Sequence, residues 1–409
     1  MVYGPHTPET RAQMLAVLGL ESVEQLFDDI PEPVHAAGLD LAEPVSELTL
    51  SRELAALAAR NRVDLSSFLG AGVYQHHIPA SVDSVLSRGE FYTAYTPYQP
   101  EISQGTLQTI YEFQSLIGQL TGLPVVSASH YDGAAATAEA ALMTVRAKRR
   151  DRVLISRAVH RHYIETTRTY FSAGTRQLEE LPTTPDGLTD MAALEAALAD
   201  PERPVAGVIL GQPNAFGLLE TMAQAAELAH AAGALFVAVV EPTSLAVLAP
   251  PSEYGADIAA GEGQPLGIAP QYGGPYLGLL ATTQELIRQI PGRLVGKTTD
   301  LEGRRAFVMT LRAREQDIRR DKAASNICTN QALCALAATT YLATLGPHGL
   351  SDVAAAGAAT ARRLEVALTE AGYERVHDAA YLNEFAVRVP DAATTPVSYT
   401  HLTLPTKES

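Results

Sequence analysis

Tryptophan is absent from the 409 residues, cysteine occurs twice, and lysine occurs only at positions 148, 297, 322 and 407. Each scarcity excludes something. Because no lysine lies between residues 149 and 296, Schiff-base catalysis has no amine to use in the central part of the chain. Cys328 and Cys334 stand six apart, a spacing that fits no zinc or redox motif and places them on different faces of a helix, so both read as inert core residues. The longest nearly apolar run, Ile327 to Gly346, is interrupted by Asn330, Gln331 and several threonines; it reads as a buried helix and not as a membrane span. The N-terminus has no apolar stretch of the kind a secretory signal needs, which points to the cytosol. A net charge of −16 disfavours nucleic acid or an anionic membrane as the main partner. No GxSxG elbow, P-loop or HExxH occurs.

What is present is an alternation. The first sixty or so residues read as a helical arm: Thr7 caps a helix with Pro8 at its first position, Ser22 and Gln25 make a capping-box pattern, Ser51 opens Arg52–Arg60, and prolines 31, 33 and 44 break the arm. Apolar residues at helical spacing over 103–121 predict a helix stopped by Gly122, and a second, alanine-rich helix follows Asp132 and closes on the cations 146–150. Short apolar runs at 152–156, 205–210, 234–240 and 276–281 alternate with helical stretches near 189–199 and 219–232. That is the pattern of an α/β fold, a mainly parallel sheet covered by helices. We read residues 61–345 as this large domain and 346–396 as a small, truncated α+β domain, with Gly346-Pro347 breaking helix 327–345 from helix 351–371 and a strand at 383–389. The tail from Val397 resembles a translated sequencing adapter and reads as non-native.

Four places carry candidate chemistry. Gly89–Gly105 packs Tyr92, Tyr95, Tyr98, Gln99 and Glu101 around Pro97 and Pro100. The prolines fix it as a loop and its aromatic tips need partners, as in a site segment; a Tyr-rich loop packed on its own body or on a partner would look the same. The turn Ser129–Gly133 opens a helix, where α/β enzymes often seat a phosphate, but Asp132 stands at the N-cap and takes the positive helix end for itself. His160 follows a strand at the edge where α/β sheets hold ligands, although an exposed basic turn would read identically. The glycine-rich stretch 261–275 is long for a simple turn and suggests an interface or site.

Several motifs together resemble one family. Ser67-Phe68-Leu69-Gly70-Ala71-Gly72, FYTAYTPYQPEISQG from Phe91, Tyr131–Ala134, GEGQPLGI with QYGGP, and Arg312–Arg320 running on through Ser325–Gln331 closely resemble subunit 1 of glycine dehydrogenase (decarboxylating), the glycine cleavage system P-protein. The resemblance implies the aminotransferase-like fold type I of pyridoxal phosphate enzymes. It implies an activity shared with subunit 2: glycine is decarboxylated on pyridoxal phosphate, and the aminomethyl group passes to the lipoyl arm of the H protein. It further implies that the cofactor lysine belongs to subunit 2. Laid without gaps on the lysine loop of that subunit, this sequence puts Gln264 at the lysine; the acid for the pyridine nitrogen falls at or near Val239, with Glu241 close by. Tyr92, Tyr95, Tyr98, Gln99, Glu101 and His160 are then expected to line a site completed by the partner. A non-catalytic scaffold that stabilises subunit 2 or docks the H protein is the other expectation. Asp317 stands where relatives commonly show His, and Arg161 where they show Pro.

Overall fold

The computed structural model describes residues 5–35, 38, 40–61, 72–271 and 273–390. Residues 67–71 and Tyr272 of the recognised motifs, and the tail from 397, lie outside them. The chain divides into two units, residues 1–67 with 400–409, and residues 68–399.

In the first unit, α1 (Pro8–Leu18) starts where Thr7 accepts from the Thr10 amide and stops at left-handed Gly19. Gln25 accepts from the amides of Glu21 and Ser22, the returning half of the capping box. The helix expected to open at Ser51 opens earlier: Ser46 caps α2 (Glu47–Ala58), and Ser51 lies inside it. Serine caps only where its own backbone is extended, which Ser46 satisfies with ψ near 154°. Neither helix buries a residue.

In the second unit, the short helices α3 (Ala80–Leu86) and α4 (Gly89–Tyr92) precede α5 (Gln104–Thr121), which Gly122 ends at positive φ. The sheet strands are β1 (Val125–Val126), β2 (Arg152–Ser156), β3 (Gln177–Leu181), β4 (Val205–Gln212), β5 (Leu235–Val240), β6 (Ile258–Glu262) and β7 (Gly278–Thr282). Between them run α6 (Gly133–Lys148), α7 (Arg161–Phe171), α8 (Met191–Leu198) and α9 (Met222–Ala231). Their order across the sheet is β1-β7-β6-β5-β4-β2-β3, and only β7 runs antiparallel to its neighbours.

Alternation along each strand sorts side chains to two faces. Val153, Ile155, Val237, Val239 and Ile258 meet α6 and α7, whereas Leu154, Val208, Phe236 and Ala238 meet α8 and α9. The strands are buried on both faces, as βαβ crossovers require. A third cluster sets Phe113 and Ile117 of α5 and Tyr341 against Leu277 and Leu279. Gly207 on β4 lets α6 approach closely: a Cβ there would stand 2.6–2.8 Å from Thr144 side-chain atoms.

The 291–326 segment contains the hairpin β8 (Leu294–Thr299) and β9 (Arg305–Thr310), then the single turn α10 (Gln316–Arg319). The final helix, α11 (Ala332–Glu370), is interrupted at Gly346, whose φ of 62° and ψ of −175° are non-helical, with Pro347 starting the second half. No continuous strand forms over 383–389; Val387 makes one isolated bridge to Arg375. Cys328 lies before α11, so the two cysteines do not share a helix. Among the described residues, no helix is long and apolar enough to cross a membrane, and no three His, Cys, Asp or Glu side chains are grouped to hold a metal ion.

Candidate functional site

The carboxyl end of the parallel strand β6 meets the N-terminus of α6. Asp132 takes the cap, accepting from the Ala135 amide at 2.7 Å. The next N–H, of Gly133, donates not to a ligand but to Glu262 Oε2 at 2.9 Å. Glu262 stands at the end of β6, and its other oxygen accepts from the amides of Gln264 and Leu277, both at 2.9 Å. Burial pushes the Glu262 carboxyl up to about 7 against the pull of these three N–H donors. Tyr163 of α7 closes the space above: a Cβ on Gly133 would meet its hydroxyl at 2.2 Å, so glycine is required at the first helical position. Desolvation, and then the negative charges of Glu262, Asp132 and Glu241, hold that phenol protonated.

Gln264 and Val239 sit in the same neighbourhood. Gln264, only 4% exposed, follows β6 in a tight turn and donates its side-chain amide to the Ile268 carbonyl at 2.5 Å. Val239 is buried on β5, packed in the core beneath α6. Glu241, just beyond β5, turns back on its own chain and accepts from the Thr243 hydroxyl and the amides of Thr243 and Ser244. His160 is the N-cap residue of α7, accepting from the His162 amide through Nδ1, with its ring 5.7 Å from that of Tyr163. Glu384 lies near enough to feel both His160 and Glu241, is raised first by burial, and takes the hydroxyl hydrogen of Tyr74. The glycine-rich stretch 261–275 begins with the last two residues of β6, Gly261 and Glu262.

The tyrosine loop forms a separate group. Thr96 bonds to Thr329 at 2.7 Å, and Gln104 makes a two-way bridge to the Phe307 backbone on β9 at 2.9 and 2.8 Å, which pins the loop at its middle and at its C-terminal end. Tyr98 lies between two guanidinium groups, Arg293 and Arg312, each 5.3 Å from its ring centre. Its hydroxyl accepts from Arg293 Nη2 at 3.1 Å. Arg293 is held in turn by a buried ion pair with Glu315 and by Asp317 at 3.5 Å, and Arg312 by Asp317 at 2.7 Å. Asp317 therefore works in place as a carboxylate bridging two arginines. Tyr92, Tyr95, Gln99 and Glu101 are exposed, Tyr95 to 84%.

Four residues of these groups were not singled out from the sequence: Glu262, Tyr163, Tyr74 and Glu384. Glu262 lies within the GEGQP motif and Tyr163 three residues after His160, but nothing in a linear sequence says that one caps a helix 129 residues away. Cys328 also departs from its reading as inert core. Burial raises its thiol, but Arg293, at 3.1 Å from the sulfur, and Thr329 more than offset this and leave it below the usual range. Cys334 is a buried thiol pushed up to about 11.

Comparison with known proteins follows the same lines. The family model described as Glycine cleavage system P-protein matches residues 1–403. The probable glycine dehydrogenase (decarboxylating) subunit 1 of Moorella thermoacetica is 55% identical over 355 residues, covering 87% of this chain and 79% of that one. Its counterpart in Carboxydothermus hydrogenoformans is 49% identical over 392 residues, covering 95% and 87%. Among solved structures, the inhibitor-bound crystal structure of glycine decarboxylase (P-protein) of the glycine cleavage system superposes with a TM-score of 0.89 at 46% identity, covering 96% of this chain and 88% of that one. A cysteine desulfurase from Thermococcus onnurineus NA1, at 15% identity and a TM-score of 0.59 over 89% of this chain and 88% of its own, shares the fold alone. With its aminotransferase-like fold type I sheet and this extent of sequence identity, the chain belongs to the glycine cleavage system P-protein family.

Proposed function

We propose that this chain is the subunit of a heteromeric glycine-decarboxylating enzyme that holds no cofactor itself, and that it lends the 89–105 loop to a site completed by subunit 2. Pyridoxal phosphate, glycine and the incoming lipoyl arm of the H protein would then meet on the partner. The observation carrying this reading is how the seat at the sheet edge is filled. A covalently held pyridoxal phosphate needs a lysine amine, an acid at the pyridine nitrogen and free N–H groups for its phosphate. The residues present do not fit: the motif likeness puts Gln264 at the lysine and Val239 at or near the acid, and Asp132, Glu262 and Tyr163 crowd the helix terminus.

The loop supplies what such a helper subunit needs. Tyr98 is fixed by two arginines, so its ring is set before any partner arrives, whereas Tyr92 and Tyr95 stand out into solvent. Aromatic rings with hydroxyl tips orient a small carboxylate or line the approach of an apolar arm at low entropic cost. Their role is positioning, with the bond-breaking chemistry left to the cofactor.

Co-expression with subunit 2, followed by size exclusion and visible absorbance, tests assembly and cofactor placement. The expected result is a stable complex whose absorbance survives Gln264→Leu in this chain and is absent from this chain alone. Tyr95→Phe and Tyr98→Phe complexes are then assayed for glycine–CO2 exchange, with a loss of about tenfold or more expected. Full exchange in both, together with weakened assembly, would make the loop a docking element only.

A further inference from the structure

Thirteen residues along α6 from Gly133, about 20 Å at 1.5 Å per residue, the helix ends at a cavity unrelated to the filled seat. Its volume is about 430 Å³, and six cations line it: Arg146 of α6, Arg176 before β3, Arg288 between β7 and β8, and Arg314, Arg319 and Lys322 from the segment between β9 and α11. Six of the chain's 30 arginines and lysines thus surround one cavity in a protein of net charge −16. A helix C-terminus accounts for Arg146. It does not account for the five that converge from other segments.

Compensation within the chain is thin. No carboxylate among the described residues forms an ion pair with any of the six. The nearest acid to act on Arg146, Glu139, already accepts from the Ser325 hydroxyl at 2.6 Å. Arg146 spends its terminal nitrogens on the carbonyls of Gln289 and Ala324 at 3.2 and 3.4 Å, and Arg314 on those of Ile290 and Gly292. These contacts fix both guanidinium planes, while Nε of each is buried without an acceptor. Burial, followed by the like charge of Arg293, lowers the Arg314 guanidinium to about 10. Fixed, like-charged, under-partnered groups around a concave space are what a multivalent anion would relieve.

We propose that this cavity binds a small anion carrying a phosphate group, either inorganic phosphate or a phosphate monoester. Phosphate suits it because its oxygens accept from guanidinium forks in pairs and a single group can serve cations from several segments at once. The volume falls in the range of small-molecule sites. Concavity also favours a small ligand over an acidic stretch of another protein, which meets cations more readily on an open face.

Equilibrium dialysis with inorganic phosphate and, separately, glycerol 2-phosphate tests this at constant ionic strength set with chloride, on the full chain and on the chain co-purified with subunit 2. The expected result is saturable 1:1 binding in both preparations, weakened about tenfold or more by R319Q/K322Q. Both of those side chains are exposed, so the double variant keeps its fold, checked by an unchanged melting temperature without phosphate. Tighter binding of the monoester identifies an organic phosphate as the ligand, and equal or weaker binding identifies the inorganic ion. Non-saturable uptake, uptake indifferent to the double variant, or binding that disappears in the complex because acidic side chains of the partner fill the cavity would each overturn the proposal.

Discussion

Two buried side chains near the helix terminus give this protein opposing responses to pH. Among the described residues, neither ring nitrogen of His130 has a hydrogen-bond partner, and burial lowers its pKa from 6.5 to about 3. It stays neutral when folded but would be charged when unfolded at mildly acidic pH, so its contribution is fully present above pH 6.5 and lost as pH falls toward 3. Glu262 acts oppositely. With its carboxyl raised from 4.5 to about 7, the folded state binds a proton the unfolded state releases, so its contribution is present below pH 4.5 and lost as pH rises through 7. The shift corresponds to about 3 kcal/mol across that window. Urea unfolding of wild type, His130→Leu and Glu262→Gln at pH 5 and pH 8 separates the two. His130→Leu is expected to gain stability at pH 5, and Glu262→Gln to flatten the fall between pH 5 and 8; unchanged slopes would mean that neither group titrates between the folded and unfolded states as described.

At the scale of elements, what was legible in the sequence follows from how each strand is buried. β4 and β5 are fully covered and spell continuous apolar runs, so both were readable, as were the Gly122 stop, the Asp132 cap and the break at Gly346-Pro347. β3, QLEEL at the sheet edge, alternates only weakly, and β6, IAAGE, has Ile258 as its one strand former, followed by small residues. The β8–β9 hairpin is largely exposed at its tip and hid within a polar segment. The candidate site was legible only in part for a related reason: the tyrosines stood out by their crowding around Pro97 and Pro100 and Gln264 and Val239 came from motif likeness, while Glu262 and Tyr163 act through contacts that only the fold creates. One close contact between elements can be tested directly. Gly207→Ala drives a methyl into Thr144 and should cost about 1–3 kcal/mol of stability, seen as a lower urea midpoint, and Thr144→Ala in the same chain should recover part of it. No loss in the single variant would show that α6 can lift from β4 without penalty.

For the whole molecule, the exposed residues speak more than the core. Tyr92, Tyr95 and Ile102 present 67, 84 and 81% of their surface to solvent on a loop anchored at Thr96 and Gln104. Large apolar groups on a fixed platform make ready contact area because little ordering entropy remains to be lost on binding. Hydroxyl-radical footprinting should show these three residues protected in the complex with subunit 2, while Leu301 at the tip of the β8–β9 hairpin stays reactive; equal reactivity of the loop in free and assembled protein would place the interface elsewhere.

The bond from Gly133 to Glu262 has a consequence for supply. A freely diffusing anion occupies a helix terminus only as far as its concentration allows, but a carboxylate carried on the adjacent strand is present at an effective concentration set by the fold, of millimolar order or above for short tethers. That terminus never waits for a ligand, so this chain should fold and accumulate equally well in cells starved of vitamin B6, with immunoblotted levels matching those in supplemented cells.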